Sequence, residues 1–228
     1  NASMEDVMAA KIKRAESKGR PTPTWVDAKA FLSDPRANPT VAWPIHVFDC
    51  CPISDGASCL LLVGEDIAKN FTDDPLYVAG MGQGSGRGLH AAQDLTSFEA
   101  TRYAAHEAYE MSGLGPKDIQ FAEVHDCFSI AELLHIEDLG FFKAGEGYKA
   151  VEEGQTRLEG STPINTSGGL KCKGHPVGAT GAAQLVEVWT QLRQQAGQRQ
   201  VAGDLKFGAA HNLGGTGGTS TFTILERR

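Results

Sequence analysis

The sequence predicts an α/β protein in which helices cover a layered sheet. Apolar runs of strand length alternate with amphipathic stretches of helix length, in the order strand, helix, strand, helix, strand, strand. Glycine and proline punctuate the boundaries, as at Gly113, Gly115-Pro116 and Gly140. A chain of 228 residues with 41% hydrophobic content is also long enough to bury a substantial core, as one large domain or one and a half.

Residues 1–45 read as irregular and peripheral. A first helix is expected from Met4 to about Ser17, stopped by Gly19, Pro21 and Pro23. Its end is basic, with Lys11, Lys13, Arg14, Lys18 and Arg20 against Glu5, Asp6 and Glu16. Such a run suits a solvated helix face with cations near the C-terminus; the alternative is a patch for a phosphate-bearing ligand. Cys51-Pro52-Ile53-Ser54-Asp55-Gly56 reads as a tight turn feeding a buried strand over 57–63. A short helix to about residue 71 and a strand over 76–81 follow. The run Gly82-Gln83-Gly84-Ser85-Gly86-Arg87-Gly88 lacks both the Lys-Ser/Thr and the strand–loop–helix context of a phosphate loop, so a flexible connection is expected.

The helix expected over 97–111 carries an apolar stripe of Ala100, Ala104, Ala108 and Met111, small enough for close packing. A strand over 121–124 runs into His125-Asp126-Cys127-Phe128. Ser129 and Glu132 have capping-box spacing, with Ile130, Leu133 and Leu134 as the buried face of the next helix. After a loop-rich section over 141–163, a glycine-rich loop leads through Gly174-His175-Pro176 into a helix from 179 to about 195. That helix is expected to bury Ala182, Leu185, Val186, Trp189 and Leu192. Strands over 205–210 and 221–224 close the chain, joined through His211-Asn212 and Gly214-Gly215.

Composition excludes several functions. A formal charge of -7 argues against nucleic-acid binding. The apolar runs, such as Cys59-Leu60-Leu61-Leu62-Val63, are too short to span a bilayer. Five cysteines without CxxC spacing favour reduced thiols in a cytoplasmic setting over disulfides or zinc. No signal peptide opens the chain, and its start without methionine suggests a fragment or a processed chain.

The residues that could carry chemistry lie at strand ends. Cys127 stands just before a helix N-terminus, where the dipole and a nearby histidine favour thiolate and a lowered pKa; a small buried cysteine is the other reading. His125 lies two residues earlier, on the same side of an extended segment, and could donate to a developing oxyanion. His175 is fixed between Gly174 and Pro176, which suits a general base or nucleophile activator. His211-Asn212 enters a glycine turn, and which of the two faces a cavity depends on a one-residue register. His125, Cys127, His175 and His211 could ligate zinc by type, but their spacing fits no zinc signature, so no metal is expected.

These residues resemble the C-terminal part of a thiolase. Gly174-His175-Pro176 matches the family's GHP loop, and His125-Asp126-Cys127-Phe128 the HDCF loop of sterol-carrier-protein-type thiolases and their archaeal and bacterial acetyl-CoA acetyltransferase relatives. Ser54-Asp55-Gly56-Ala57 matches its SDGA turn, and Gly214-Gly215 belongs to its last glycine loop. The resemblance implies a layered α/β/α/β/α fold. Here it would comprise part of the loop domain (1–45), the end of the N-terminal half (46–72) and the C-terminal domain (73–228).

The resemblance also implies acyl-CoA substrates, no permanently bound cofactor with coenzyme A as substrate, and a homodimer or homotetramer. The reaction would be thiolytic cleavage of a 3-ketoacyl-CoA, or the reverse Claisen condensation, through a cysteine thioester. Carried over, His175 activates the nucleophile, His125 donates to the thioester oxygen, and Cys127 moves the proton at Cα. His211-Asn212 stands in the family's CxG loop, and Cys51, Gly174, Gly214 and Gly215 line the approach of substrate. The nucleophilic cysteine belongs to an N-terminal half, expected on a longer or a second chain, and a small zinc-bearing acyl-CoA-binding protein is a further expected partner. A coenzyme A ester retro-aldolase of the same fold, or a non-catalytic acyl-CoA-binding subunit, are the alternatives.

Overall fold

The computed structural model describes residues 3–228. Helix α1 (Met4–Ser17) forms as expected, and a capping box starts it: the Ser3 hydroxyl accepts from the Asp6 N–H while the Asp6 carboxylate accepts from the Ser3 N–H. The following segment is more ordered than its composition suggests. Asp27 caps α2 (Ala28–Ser33), and a two-stranded ribbon follows, β1 (Thr40–Ala42) with β2 (Ile45–His46). Phe31, fully buried, lies between the rings of Trp25 and Phe48, and the Lys11 ammonium sits over Phe31 and Phe48. Lys11 is therefore committed to packing rather than to a phosphate.

The strand expected over 57–63 does not form. The segment has no regular structure among the described residues, and Leu61 and Leu62 are 70% and 78% exposed. Helix α3 (Glu65–Ala68) closes this part of the chain.

The main sheet is built from β3 (Leu76–Ser85), β4 (Ala122–Glu123), β5 (Phe207–Gly214) and β6 (Thr219–Arg227), in the order β3-β6-β5-β4. Only the β5–β4 pair is parallel. Strand β3 runs through Gly82-Gln83-Gly84-Ser85, so half of the expected flexible connection is strand. Glycine serves there for close approach. A Cβ on Gly80, Gly82 or Gly84 would run into the carbonyls of Ala108, Ala104 and Ala100 respectively. Period two on the strand thus matches period four on helix α4 (Glu99–Ser112), and backbone packs on backbone. The alanine stripe is buried as expected, but Met111 is 62% exposed at the helix end, and Thr101 and Ala105 complete the face instead.

Three more helices, α5 (Ser129–Asp138), α6 (Gly147–Glu152) and α7 (Gly169–Lys173), precede α8 (Thr180–Leu192). No side chain caps α5: Ser129 donates to Asp49, and Glu132 accepts from Asn165. Its buried face is Ala131, His135 and Ile136, while Ile130 is exposed. Helix α8 is also rotated from expectation. Of the five residues predicted to be buried only Leu192 is, beside Val188 and the polar Gln184, Glu187 and Gln191; Trp189 is exposed. The polar residues go inside because each finds a partner: Glu187 pairs with Arg199 at 2.8 Å, and Gln191 donates to the Arg199 carbonyl at 2.7 Å. Two apolar clusters hold the sheet, one around Ala104, Ala108, Ile136 and Phe222, the other around Phe121, Val188, Leu192 and Leu205. No helix among the described residues is long and apolar enough to cross a membrane.

Candidate active site

Two loops meet at one end of the sheet. The first follows β4 and carries His125, Asp126 and Cys127; the second follows α7 and carries Gly174 and His175. The rings of His125 and His175 lie 5.0 Å apart, edge to face at 81°. Buried Glu123 ties the second loop to β4 by accepting from the Ser167 N–H and hydroxyl and pairing with Lys173. Residues 50–56 thread between the loops. The Cys51 N–H donates to the Cys127 carbonyl at 3.0 Å, and the His175 N–H donates to the Pro52 carbonyl at 3.3 Å. Cys50 pairs with Phe128 and Ile53 with His175. Gly174, at φ +88°, has no room for a side chain because the Ser54 hydroxyl occupies the space.

Hydrogen-bond partners differ at the two imidazoles. The Thr180 hydroxyl lies 3.0 Å from the Pro176 carbonyl and 2.7 Å from His175 Nδ1. Donation to the carbonyl leaves the hydroxyl an acceptor toward His175, the arrangement in which Nδ1 carries the proton and Nε2 is a free base. Burial, the larger effect, pulls its pKa below the ordinary value, and the Asp126 charge opposes that. His125 is the reverse case. Its Nδ1 lies 3.2 Å from the Asn212 side-chain nitrogen, which also donates to Gln184 at 2.8 Å. With the amide nitrogen on this side, His125 accepts at Nδ1, the form that carries its proton on Nε2. Burial drives its pKa down to about 4, and His175 adds to the effect. At neutral pH the pair presents one base and one neutral donor, side by side.

Cys127 departs from expectation. Its thiol is pushed up to about 11, by burial first and then by Cys51, outweighing the backbone N–H groups that favour thiolate. Being half-buried beside a second thiol defeats the helix N-terminus, so Cys127 is a protonated thiol suited to giving a proton rather than attacking.

The alternation along β5 separates His211 from Asn212. His211 faces α4, fully buried, with Nε2 2.9 Å from the Ser220 hydroxyl and 3.1 Å from that of Thr101, and its ring 4.3 Å from His135. Asn212 faces α8 and His125. Gly214 and Gly215 lie at the β5–β6 connection. Among the described residues no group of three or more histidine, cysteine or carboxylate side chains is arranged to hold a metal.

Sequence reasoning missed Thr180, Gln184 and Asp126. Thr180 follows His175 by five residues, one helical turn past the proline, and that spacing was a usable signal. Gln184 was hidden by the expected apolar face of α8. Asp126 was visible in its motif, but nothing in the sequence says that its carboxylate meets α7.

Fold and site define an α/β domain with helices packed on its sheet and a pair of histidines where two loops meet. Residues 83–227 match the family described as thiolase C-terminal domain-like, and the chain belongs to it. Acetyl-CoA acetyltransferase of Methanothermobacter thermautotrophicus is 52% identical over 188 residues, covering 82% of this chain and 49% of that protein. Benzoylsuccinyl-CoA thiolase subunit BbsB of Thauera aromatica is 33% identical over 215 residues, covering 94% of this chain and 56% of that protein. The solved structure of an Ltp2–ChsH2(DUF35) aldolase superposes with a TM-score of 0.74 at 24% identity, over 99% of this chain and 59% of that one, which shows the fold. The chain spans about half the length of the curated relatives it matches.

Proposed function

We propose that these residues belong to a thiolase-type acyl-CoA C-acyltransferase, in which they supply the base, the oxyanion donor and the proton-transfer thiol. The observation that carries this reading is the meeting of the His175 and His125 rings at 5.0 Å, with a hydroxyl at Nδ1 of the first and an amide nitrogen at Nδ1 of the second. His175 Nε2 takes the proton of a nucleophilic cysteine provided from outside these 228 residues, and the thiolate attacks the substrate carbonyl. The acyl group passes to that sulfur, and the other half of the substrate leaves as an enolate of the remaining thioester. The His125 Nε2–H stabilises the charge on the thioester oxygen, and the Cys127 thiol delivers a proton to Cα. Condensation is the same sequence reversed. Asn212 orients His125 in this account, and His211 supports β5 from within the core.

The remainder of the reading concerns the whole protein. Residues 46–72 belong with the nucleophile-bearing half, which supplies the strand pairing that residues 57–63 lack; 1–45 are loop domain and 73–228 the C-terminal domain. Coenzyme A approaches past Cys51, Gly174 and the Gly214-Gly215 turn, and a cavity of about 680 Å³ between Phe48, Asn38, Ser129 and Lys171 lies beside that route. The assembly is a cytoplasmic homo-oligomer, with a second acyl-CoA-binding subunit as a further partner. Retro-aldol cleavage of a coenzyme A ester is the alternative: it too uses a base, to take the β-hydroxyl proton, but it passes through no acylated cysteine.

The test is acylation. The protein carrying this chain, incubated with acetyl-CoA or acetoacetyl-CoA, is expected to gain one acetyl group on a cysteine outside Cys50, Cys51, Cys59, Cys127 and Cys172, and His175→Ala is expected to abolish it. Thiolysis undiminished in His175→Ala would sink the proposal.

A further inference from the structure

Asp126 stands between two residues assigned above and has been given no role. It is 8% exposed, and its Oδ1 accepts from the Leu170 N–H at 2.8 Å, in the first turn of α7. The other oxygen fills the space a side chain would need at Gly169, where the chain takes a left-handed step at φ +62°. Helix α7 is a little over one turn long, and Gly174-His175 follow it directly. A hold on the start of α7 is thus a hold on the loop bearing the base, whose other anchors are Thr180 and the Pro52 carbonyl.

We propose that Asp126 is a positioning residue for His175: its carboxylate clamps the start of α7, and through that helix fixes the loop. The inference rests on the reading of His175 as a base. A base gains positive charge when it takes a proton, and a nearby carboxylate stabilises that form. The titratable groups around the pair are His125, Cys51, Cys127 and, on α5, Glu132, whose own pKa burial raises to about 7. On α7, Lys171 is held at the Cys50 carbonyl and Lys173 at Glu123, and α8 contributes the neutral Thr180 hydroxyl. Burial raises the Asp126 pKa as well, against the Leu170 and Lys171 N–H groups and Lys173, which favour its carboxylate, and its charge opposes the effect of burial on His175.

The experiment is an NMR titration of the His175 ring in the full chain, with hydrogen exchange of its Nδ1–H as a second readout. Asp126→Asn keeps an acceptor for Leu170 but removes the charge. The His175 midpoint is expected to fall by about one unit, the low end for an opposite charge at close range, with Nδ1–H protection retained. Asp126→Ala is expected to lower the midpoint and also speed Nδ1–H exchange at least about tenfold, because the loop loses its clamp. Nδ1–H exchange in Asp126→Ala as slow as in the parent overturns the proposal. If Asp126→Ala does not fold, Asp126→Ser, too short to reach the Leu170 N–H, takes its place with the same two outcomes. Neither readout needs turnover, so failure of the acyl-transfer reading is told apart by the acylation assay.

Discussion

At the residue scale, chemistry depends on side chains that fix others. Thr180 exemplifies this. Its hydroxyl lies within hydrogen-bond distance of both the Pro176 carbonyl and His175 Nδ1, and donation to the carbonyl places the His175 proton on Nδ1. Thr180→Val should therefore slow acyl-enzyme formation on the order of a hundredfold, the scale expected when a catalytic group loses its alignment. Thr180→Ser should restore most of it; equal rates in the valine and parent proteins would remove Thr180 from the mechanism. His135 offers a test by pH. Burial lowers its pKa to about 3 from 6.5, with His125 adding to the shift. The unfolded chain thus binds a proton that the folded chain refuses, and stability is lost as pH falls from about 6.5 toward 3. Buried carboxylates with raised values, such as Glu132 at about 7, act oppositely in part of that window, so the total slope does not isolate His135. The difference does. His135→Gln should gain on the parent by up to about 1.4 kcal/mol per pH unit below pH 6, read from urea midpoints; parallel curves would contradict the shift.

At the element scale, the sequence made helices legible and their faces less so. The extents of α1, α4 and α8 follow from periodicity and end signals, because those are local. Which face turns inward is decided by partners elsewhere. Gln184, Glu187 and Gln191 go inside α8 because Asn212 and Arg199 await them, and no apolar count could see this. Glycine in β3 misled in the same way: a loop-like composition is there the means of close helix packing. Gly82→Ala tests that directly. Alanine in a strand gains roughly 0.5–1 kcal/mol over glycine from backbone entropy, but here its Cβ meets the Ala104 carbonyl and lies 2.7 Å from Glu107 Cβ. Overpacking costs about 1–3 kcal/mol or more and outweighs the gain, so urea unfolding should move to lower concentration. A neutral or stabilised variant would mean that α4 does not lie where described.

At the scale of the whole molecule, the α/β class and the meeting of the two histidine loops were both readable from the sequence. Motif context placed His125 after a strand and His175 in the glycine-rich loop; β4 carries the first, α7 the second, and residues 50–53 bridge the two loops. The tautomers, the raised Cys127 thiol and the orientation of His211 were not readable. They depend on Thr180, Cys51 and Thr101, which are distant in sequence or silent in composition. The exposed residues 57–63 belong with this gap: an apolar run predicts a buried strand only if the molecule offers it an edge.

The central claim is that the pair consists of one base and one donor. Long-range proton–nitrogen correlation of the imidazoles at neutral pH tests it most directly. The account predicts His175 protonated on Nδ1 with a free Nε2, and His125 protonated on Nε2. Finding His175 protonated on Nε2, or His125 on Nδ1, would contradict it.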